Sequence, residues 1–481
     1  MALWYKLKLL SILFFQLILL GNNVEASLKK AERYYVETGK SRKNYLLIAK
    51  NLMKDGYHFS AVPLIKEVLF HHKNKLNRAF DDILEESISK VGVRQFESMD
   101  FKILMRSKTP YVRYIIARKL FRMKLYKRSL SILNLDKIKN DHPIRPFSLM
   151  LRGSIFSIMG NYEKSIDSFK ECVEKSKDEL DDKVTKKEKR QLLINKDICL
   201  LGISRTYFAK KDYKKASFFY LDIEKESYIW PEVLFEEAWS SFYQRDYNRT
   251  LGKLVTYKAP VFSHIFNPEV KVLEALTYLE LCLWKDAKKS VDLFYITFQS
   301  PLEKIKKVLE TYGKRYKSYY LLAKKRLKQE IGGGEVFNKM FLSIVRDPAF
   351  LEMYDSFDRG GAEIKKIKRL KNTKFKKFLI GNIRETLILQ RNLIGAYVRK
   401  SLEFYSAMIT KNLTDMSYIK LEVLSRLRKE ILDESIINRR TRGDIKYLKR
   451  NEKQYFWNFN GEFWADELGD YVFALKSECK T

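Results

Sequence analysis

Between Phe375 and about Arg440 no proline occurs, and Leu379, Ile383, Leu387, Ile394, Val398, Leu402, Tyr405, Ile409, Leu413 and Met416 advance in steps of three, four or seven. Side chains at that spacing return to one helical face, so the pattern predicts one or two long helices, a coiled coil or helical hairpin, over 375–450. Gly381 and Gly395 weaken that stretch without stopping it. Leu302, Ile305, Val308, Leu309, Tyr312 and Tyr316 mark a second apolar face, which predicts helix over 302–330. Gly332-Gly333-Gly334 then reads as a flexible turn, because no Gly-Lys-Ser/Thr follows to make a phosphate loop. At the amino end, Lys6 and Lys8 precede an apolar run from Leu9 to Leu20, and Val24-Glu25-Ala26 follows. That order predicts a cleavable signal peptide over 1–26, cut before Ser27, and the run is short of the roughly 20 residues a membrane span needs.

Upstream of 300 the apolar pattern is organised by a repeat. Asp212-Tyr213 and Asp246-Tyr247 lie 34 residues apart, with Ala216 and Thr250 each three beyond the tyrosine. The same signature occurs as Gly160-Asn161-Tyr162 followed by Ser165, with Gly153 twelve before that serine and Phe169 four after it. Weaker copies centre on Ala61 (with Ala49 and Gly56), Ser129 (with Ala117 and Tyr126) and Ala287 (with Ala275 and Trp284), and the copy around Gln95 is degenerate. Small residues twelve apart let two helices approach closely, and the aromatic after the turn packs into the crevice. The period and residues resemble the tetratricopeptide repeat (TPR), which implies about seven helix pairs over 40–300. The charged stretch Lys175–Arg190 reads as an insertion between copies. The expected fold is therefore all-α: a TPR-like solenoid over 27–300, a basic helical linker over 301–374, the long helices of 375–450, and a strap over 451–481. That last segment, from Tyr455 to Tyr471, carries too many aromatics to be left in water.

The formal net charge is +34, which favours anionic partners. Lys365, Lys366, Lys368, Arg369 and Lys371 concentrate it beside a single acid, Glu363, as either a solvated face or an anionic-surface site. Export argues against nucleic acid and leaves anionic lipid, lipopolysaccharide or an acidic protein face. Four cysteines occur. Cys282, at a turn before Trp284, and Cys479, near the chain end, are the expected disulfide, pinning the strap. Cys172 and Cys199 are expected as buried thiols or a second pair. First helices of TPR pairs line a groove, so Arg205, Tyr207, Glu236 and Glu237 are the partner-binding candidates. No HExxH, GxSxG, CxxC or P-loop occurs, which argues against an enzyme and implies no cofactor or metal. His71-His72 and the acidic pairs Glu236-Glu237 and Asp181-Asp182 read as surface features. Asn248-Arg249-Thr250 and Asn412-Leu413-Thr414 are glycosylation sequons, meaningful only in a eukaryotic secretory pathway.

The aromatic tail, together with Tyr278-Leu279-Glu280-Leu281-Cys282, resembles exported TPR proteins of predatory and gliding deltaproteobacteria, including the adventurous-gliding type. The resemblance implies a periplasmic or envelope scaffold that holds partner proteins of a motility, secretion or adhesion machine. Two rivals stand beside it: a basic peripheral binder of lipopolysaccharide, anionic lipid or cell wall, and a cell-wall-processing accessory or divergent enzyme.

Overall fold

The computed structural model describes residues 27–37, 42–71, 78–181, 185–328, 334–432, 445 and 448–479. The signal segment, His72 and the first two glycines of the Gly332 run lie outside the described residues. The fold is an all-α, TPR-like helical-repeat solenoid. A first helix, α1 (27–37), precedes the repeat. The pairs are α2 (Tyr45–Lys54) with α3 (His58–His71), then α4 (Arg78–Val91), whose partner is broken into two one-turn pieces, α5 (Arg94–Glu97) and α6 (Phe101–Leu104). Those pieces are the degenerate copy around Gln95. Next come α7 (Pro110–Arg122) with α8 (Tyr126–Leu133), α9 (Arg145–Ile158) with α10 (Tyr162–Asp181), and α11 (Lys186–Ala209) with α12 (Tyr213–Tyr220). The last are α13 (Trp230–Tyr243) with α14 (Tyr247–Val255) and α15 (Glu269–Glu280) with α16 (Trp284–Tyr312).

One turn geometry serves all these pairs. Gly56, Gly92, Lys124, Gly160, Lys211, Arg245 and Cys282 have φ between 59° and 96°, and each stands two residues before a second helix begins. In six of the seven, the next amide donates to the carbonyl five residues back, as in Asp212 N–H to Tyr207 and Asp246 N–H to Ser241, at 2.9–3.0 Å. This left-handed cap satisfies the orphan carbonyls of the first helix and reverses the chain. The Asp212 and Asp246 carboxylates then accept from the Lys215 and Arg249 amides, capping the second helices.

Close approach within pairs is sealed by hydroxyls at the small-residue positions. Ser129 Oγ donates to the carbonyl of Ala117 (2.7 Å) and Ser165 Oγ to that of Gly153 (2.9 Å), each twelve residues back. Phe169 fills the crevice between two glycines: a Cβ on Gly153 would stand 2.8 Å from its ring, and one on Gly202 2.6 Å.

In the charged stretch, 175–181 and 186–190 are helical. It lengthens α10 and α11, and Thr185 with Glu188 forms a capping box at the start of α11. Cys172 of α10 and Cys199 of α11 are joined as a disulfide, Cα–Cα 6.2 Å, and both are fully buried. Pro301 does not end α16, which runs on to Tyr312 before Gly313 turns the chain into α17 (Tyr316–Leu327). The 300/301 boundary expected from the sequence thus falls inside a continuous helix. Then follow α18 (Glu335–Arg346), α19 (Pro348–Lys368) and α20 (Lys374–Leu432), a single helix of 59 residues; 433–444, 446 and 447 of the expected long-helix stretch lie outside the described residues.

The chain divides into two compact units. One is drawn from the described residues of Met1–Lys137 and from Pro348–Ala396; the other from Ile138–Asp347 and Tyr397–Thr481. In the first unit, Leu379 and Ile383 of α20 join the core of Ile48, Leu52, Ile65, Phe80 and Phe96. Glu363 of α19 is buried there and accepts the amides of Phe59 and Ser60 (2.9 and 2.7 Å), capping α3 from across the sequence. In the second unit, Met416, Ile419 and Val423 of α20 pack with Val272, Ala287, Val291 and Phe294. The seam is therefore filled by repeat helices and not by a second long helix.

The carboxy-terminal strap crosses this second unit. Its strands β1 (Trp457–Asn458) and β2 (Tyr471–Val472) pair in parallel. Tyr471 and Val472 are buried, and Phe473 and Leu475 pack with Leu251, Leu281 and Leu283. The Asn248 side chain accepts from the Leu475 amide (2.9 Å) and donates to its carbonyl (3.2 Å). Cys479 is bonded to Cys282, Cα–Cα 5.0 Å. Asn412 is fully buried, and the half-buried Asn248 is held by Leu475, so the asparagine of each sequon is engaged within the fold.

Candidate functional site

The partner-binding candidates sit on α11 and α13, the first helices of consecutive pairs in the second unit. Arg205 is engaged within the protein. Its Nε lies 3.0 Å from both carboxylate oxygens of Glu236, its Nη2 meets Glu232, and the Tyr220 hydroxyl donates to Glu236 at 3.1 Å. Burial raises the Glu236 carboxyl, with Arg205 pulling back against that shift. Arg205 and Glu232 remain exposed at their edges, so the cluster presents a paired, net acidic rim to any partner.

Glu237 requires a correction. Two adjacent acids suggested a solvated face, yet Glu237 is 5% exposed and paired with Lys253 of α14 at 2.7 Å. Neighbouring residues on a helix point about 100° apart, so Glu236 faces α11 while Glu237 faces its own partner helix. The same repeat position holds Glu274, buried and bonded to Ser290 at 3.2 Å, and Arg152, whose Nε donates to Ser168 at 3.0 Å. All three pairs span sixteen residues, so Glu237 belongs to the repeat's internal bracing and is removed from the contact surface. Tyr207 is half-buried and stacks on Phe219 at 5.2 Å with an interplanar angle of 5°.

Sequence reasoning missed the aromatic set beside these residues. Phe208, Tyr213 and Tyr243 form a cluster, with Tyr213 and Tyr243 stacked at 4.9 Å, and Tyr243 stacks in turn on Trp239 at 5.8 Å. Tyr243 is 50% exposed. Trp239 also lines a groove of about 320 Å³ whose apolar wall is Val272 and Leu276 of α15 with Tyr418 and Ile419 of α20. Tyr418 is 68% exposed. Glu269, Lys411 and Asp415 stand at the edge, with Lys411 3.9 Å from Glu269 and 3.7 Å from Asp415. The signal for this groove was present in the sequence only as unremarkable aromatics, because it needs α20 folded against α15 to exist.

The basic candidates Lys365, Lys366 and Lys368 occupy the last turn of α19, and Arg369 and Lys371 the link to α20; all five are exposed. Among the described residues, no three His, Cys, Asp or Glu side chains converge as a metal-binding group, and no helix is long and apolar enough to cross a membrane.

No protein-family model matches this chain, and no curated protein does. Among solved structures, it aligns with the crystal structure of the APC/C hetero-tetramer Cut9-Hcn1 at 11% identity, covering 81% of this chain and 98% of that one. The TM-score is 0.20, too low for the superposition to carry any argument.

Proposed function

We propose that this protein is a non-catalytic scaffold that holds a peptide or helix of a partner protein against the second unit, in the cell envelope of a bacterium, as part of a motility, secretion or adhesion machine. The observation that carries this reading is the groove at Trp239. Its apolar wall accepts a hydrophobic side chain, its rim offers both signs of charge, and the exposed edge of Tyr243 extends it along α13. That combination of apolar slot and polar rim is how grooves take short segments of a partner. The two disulfides, with the signal peptide expected over 1–26, support an oxidising setting.

The test places a photoreactive phenylalanine analogue at position 418 in intact cells and identifies the captured species by mass spectrometry. The reading expects one protein partner, whose capture disappears when Trp239→Ala is added. Capture of lipid or glycan alone, or capture indifferent to Trp239, would sink it. A peripheral role on lipopolysaccharide, anionic lipid or cell wall is the second reading, favoured by the five exposed cations from Lys365 to Lys371. Raising salt separates the two, because an electrostatic surface contact weakens steeply while an aromatic slot holds.

A further inference from the structure

The first unit carries a cleft of about 880 Å³ between α1, α2, α3 and the first turn of α20. Three aromatic residues form one side of its lining: Tyr35, Tyr45 and Phe378. Tyr35 stacks on Phe378 at 4.7 Å, Tyr45 stands 6.4 Å from the same ring, and all three are only half-buried. Four cations complete it, Arg42, Lys43, Lys374 and Lys377, against a single carboxylate, Glu67. Arg42 is held by Glu67 at 2.7 Å, which fixes the guanidinium at the mouth while its outer edge stays exposed.

We propose that this cleft binds a carboxylate-bearing saccharide, the uronate units of an acidic polysaccharide. Three features select that ligand. The volume, about 880 Å³, lies within the range of small-molecule sites and is large enough for sugar rings. The aromatic faces offer apolar platforms for the C–H faces of a sugar ring, and the excess of cations is complementary to a carboxylate on each unit. Glu67 and the phenols of Tyr35 and Tyr45 are groups that can meet sugar hydroxyls. The site shares only α20 with the Trp239 groove, and no residue of it, so the inference stands without the partner-binding reading.

The experiment measures binding of an oligogalacturonate to the full chain by calorimetry. Two charge reversals are compared: Lys374→Glu with Lys377→Glu in the cleft, and Lys285→Glu with Lys289→Glu in the other unit. All four lysines are exposed, so both variants should melt like the parent. The cleft variant is expected to bind about tenfold more weakly, while the distant variant, with the same change in net charge, should match the parent. Tyr45→Ala should also weaken binding. Equal losses in both double variants would reduce the effect to bulk charge and overturn the site. Polyglutamate of similar length binding as tightly, with the same sensitivity, would overturn the saccharide in favour of an acidic peptide. Binding only to phosphatidylglycerol vesicles would overturn it in favour of a membrane surface.

Discussion

The backbone carbonyl oxygen of Tyr471 lies 1.6 Å from the point where Gly252 would carry a Cβ. No side chain fits there, so Gly252 of α14 is the seat on which the strap's backbone rests. The strap is fastened on either side of that seat, by the Gly469 amide donating to Thr256 Oγ1 at 3.1 Å and by the two Asn248–Leu475 bonds.

Gly252→Ala should therefore lift the strap from α14. The expected cost is on the order of 1–3 kcal/mol, the usual penalty for overpacking a filled site, with the strap becoming open to protease while the helical circular dichroism stays. A variant that melts like the parent and keeps residues 455–479 protected would show that the seat is not needed.

The Cys282–Cys479 bond closes a sequence separation of 197 residues. In the loop-entropy account such a bond is worth on the order of 5 kcal/mol as an upper figure. Cys479→Ser should lower the melting temperature and free the strap, and adding reductant to the variant should produce a smaller further change, from the buried Cys172–Cys199 pair alone. Mass spectrometry of non-reduced digests checks the bond itself: a Cys479 peptide recovered unlinked from native material would remove the premise.

The repeat is legible in the sequence because its physics is local. Asp-Tyr at 212–213 and 246–247, and small residues twelve apart, report a turn and a crossing made by residues close in the chain. What stays hidden depends on contacts made far along it. Glu363 sits in a run of lysines, and only the folding of α19 beside α3 turns it into a buried cap 303 residues from Ser60. Glu237 looks like half of a surface pair until α14 brings Lys253 to it. Pro301 stands at the expected 300/301 boundary of the repeat, yet a helix can carry a proline, and α16 does. The division into two units is equally silent, since each is assembled from segments apart in the chain, with 138–347 intervening in the first and 348–396 in the second. The partner-binding candidates were half legible: Arg205 keeps an exposed edge, while Trp239, which joins the groove to the aromatic set, needed α20 in place to be seen.

Lys66 should make stability depend on pH in a defined direction. Burial lowers its ammonium group to about 8, with Glu385 offsetting part of that shift. An unfolded lysine titrates near 10.5. Between those values the unfolded chain binds more protons than the folded one, so this group makes stability rise with pH across that window; below it the penalty is complete. Lys66→Met removes the charge and keeps an unbranched stem. Its urea midpoint should exceed the parent's at about pH 7, and the gap should narrow by about pH 10. A gap constant over that range would assign the gain to packing and not to charge.

The left-handed turns give the sharpest test of the repeat. Lys211 and Arg245 hold φ of 62° and 61° at positions where Gly56 and Gly160 stand in other copies. The left-handed region costs an L-residue roughly 1–2 kcal/mol, and glycine avoids that cost at the expense of up to about 1 kcal/mol in unfolded-state entropy. Lys211→Gly and Arg245→Gly should each stabilise the protein by on the order of 0.5 kcal/mol. Gly160→Ala should destabilise it by about 1 kcal/mol through the reverse argument. Lys214, exposed and three residues further on inside α12, is the control, because glycine there should cost about 1 kcal/mol by helix propensity alone. Urea unfolding of the four variants decides it. If Lys211→Gly loses as much as Lys214→Gly, position 211 is not held in a left-handed cap, and the turn shared by the seven pairs is misassigned.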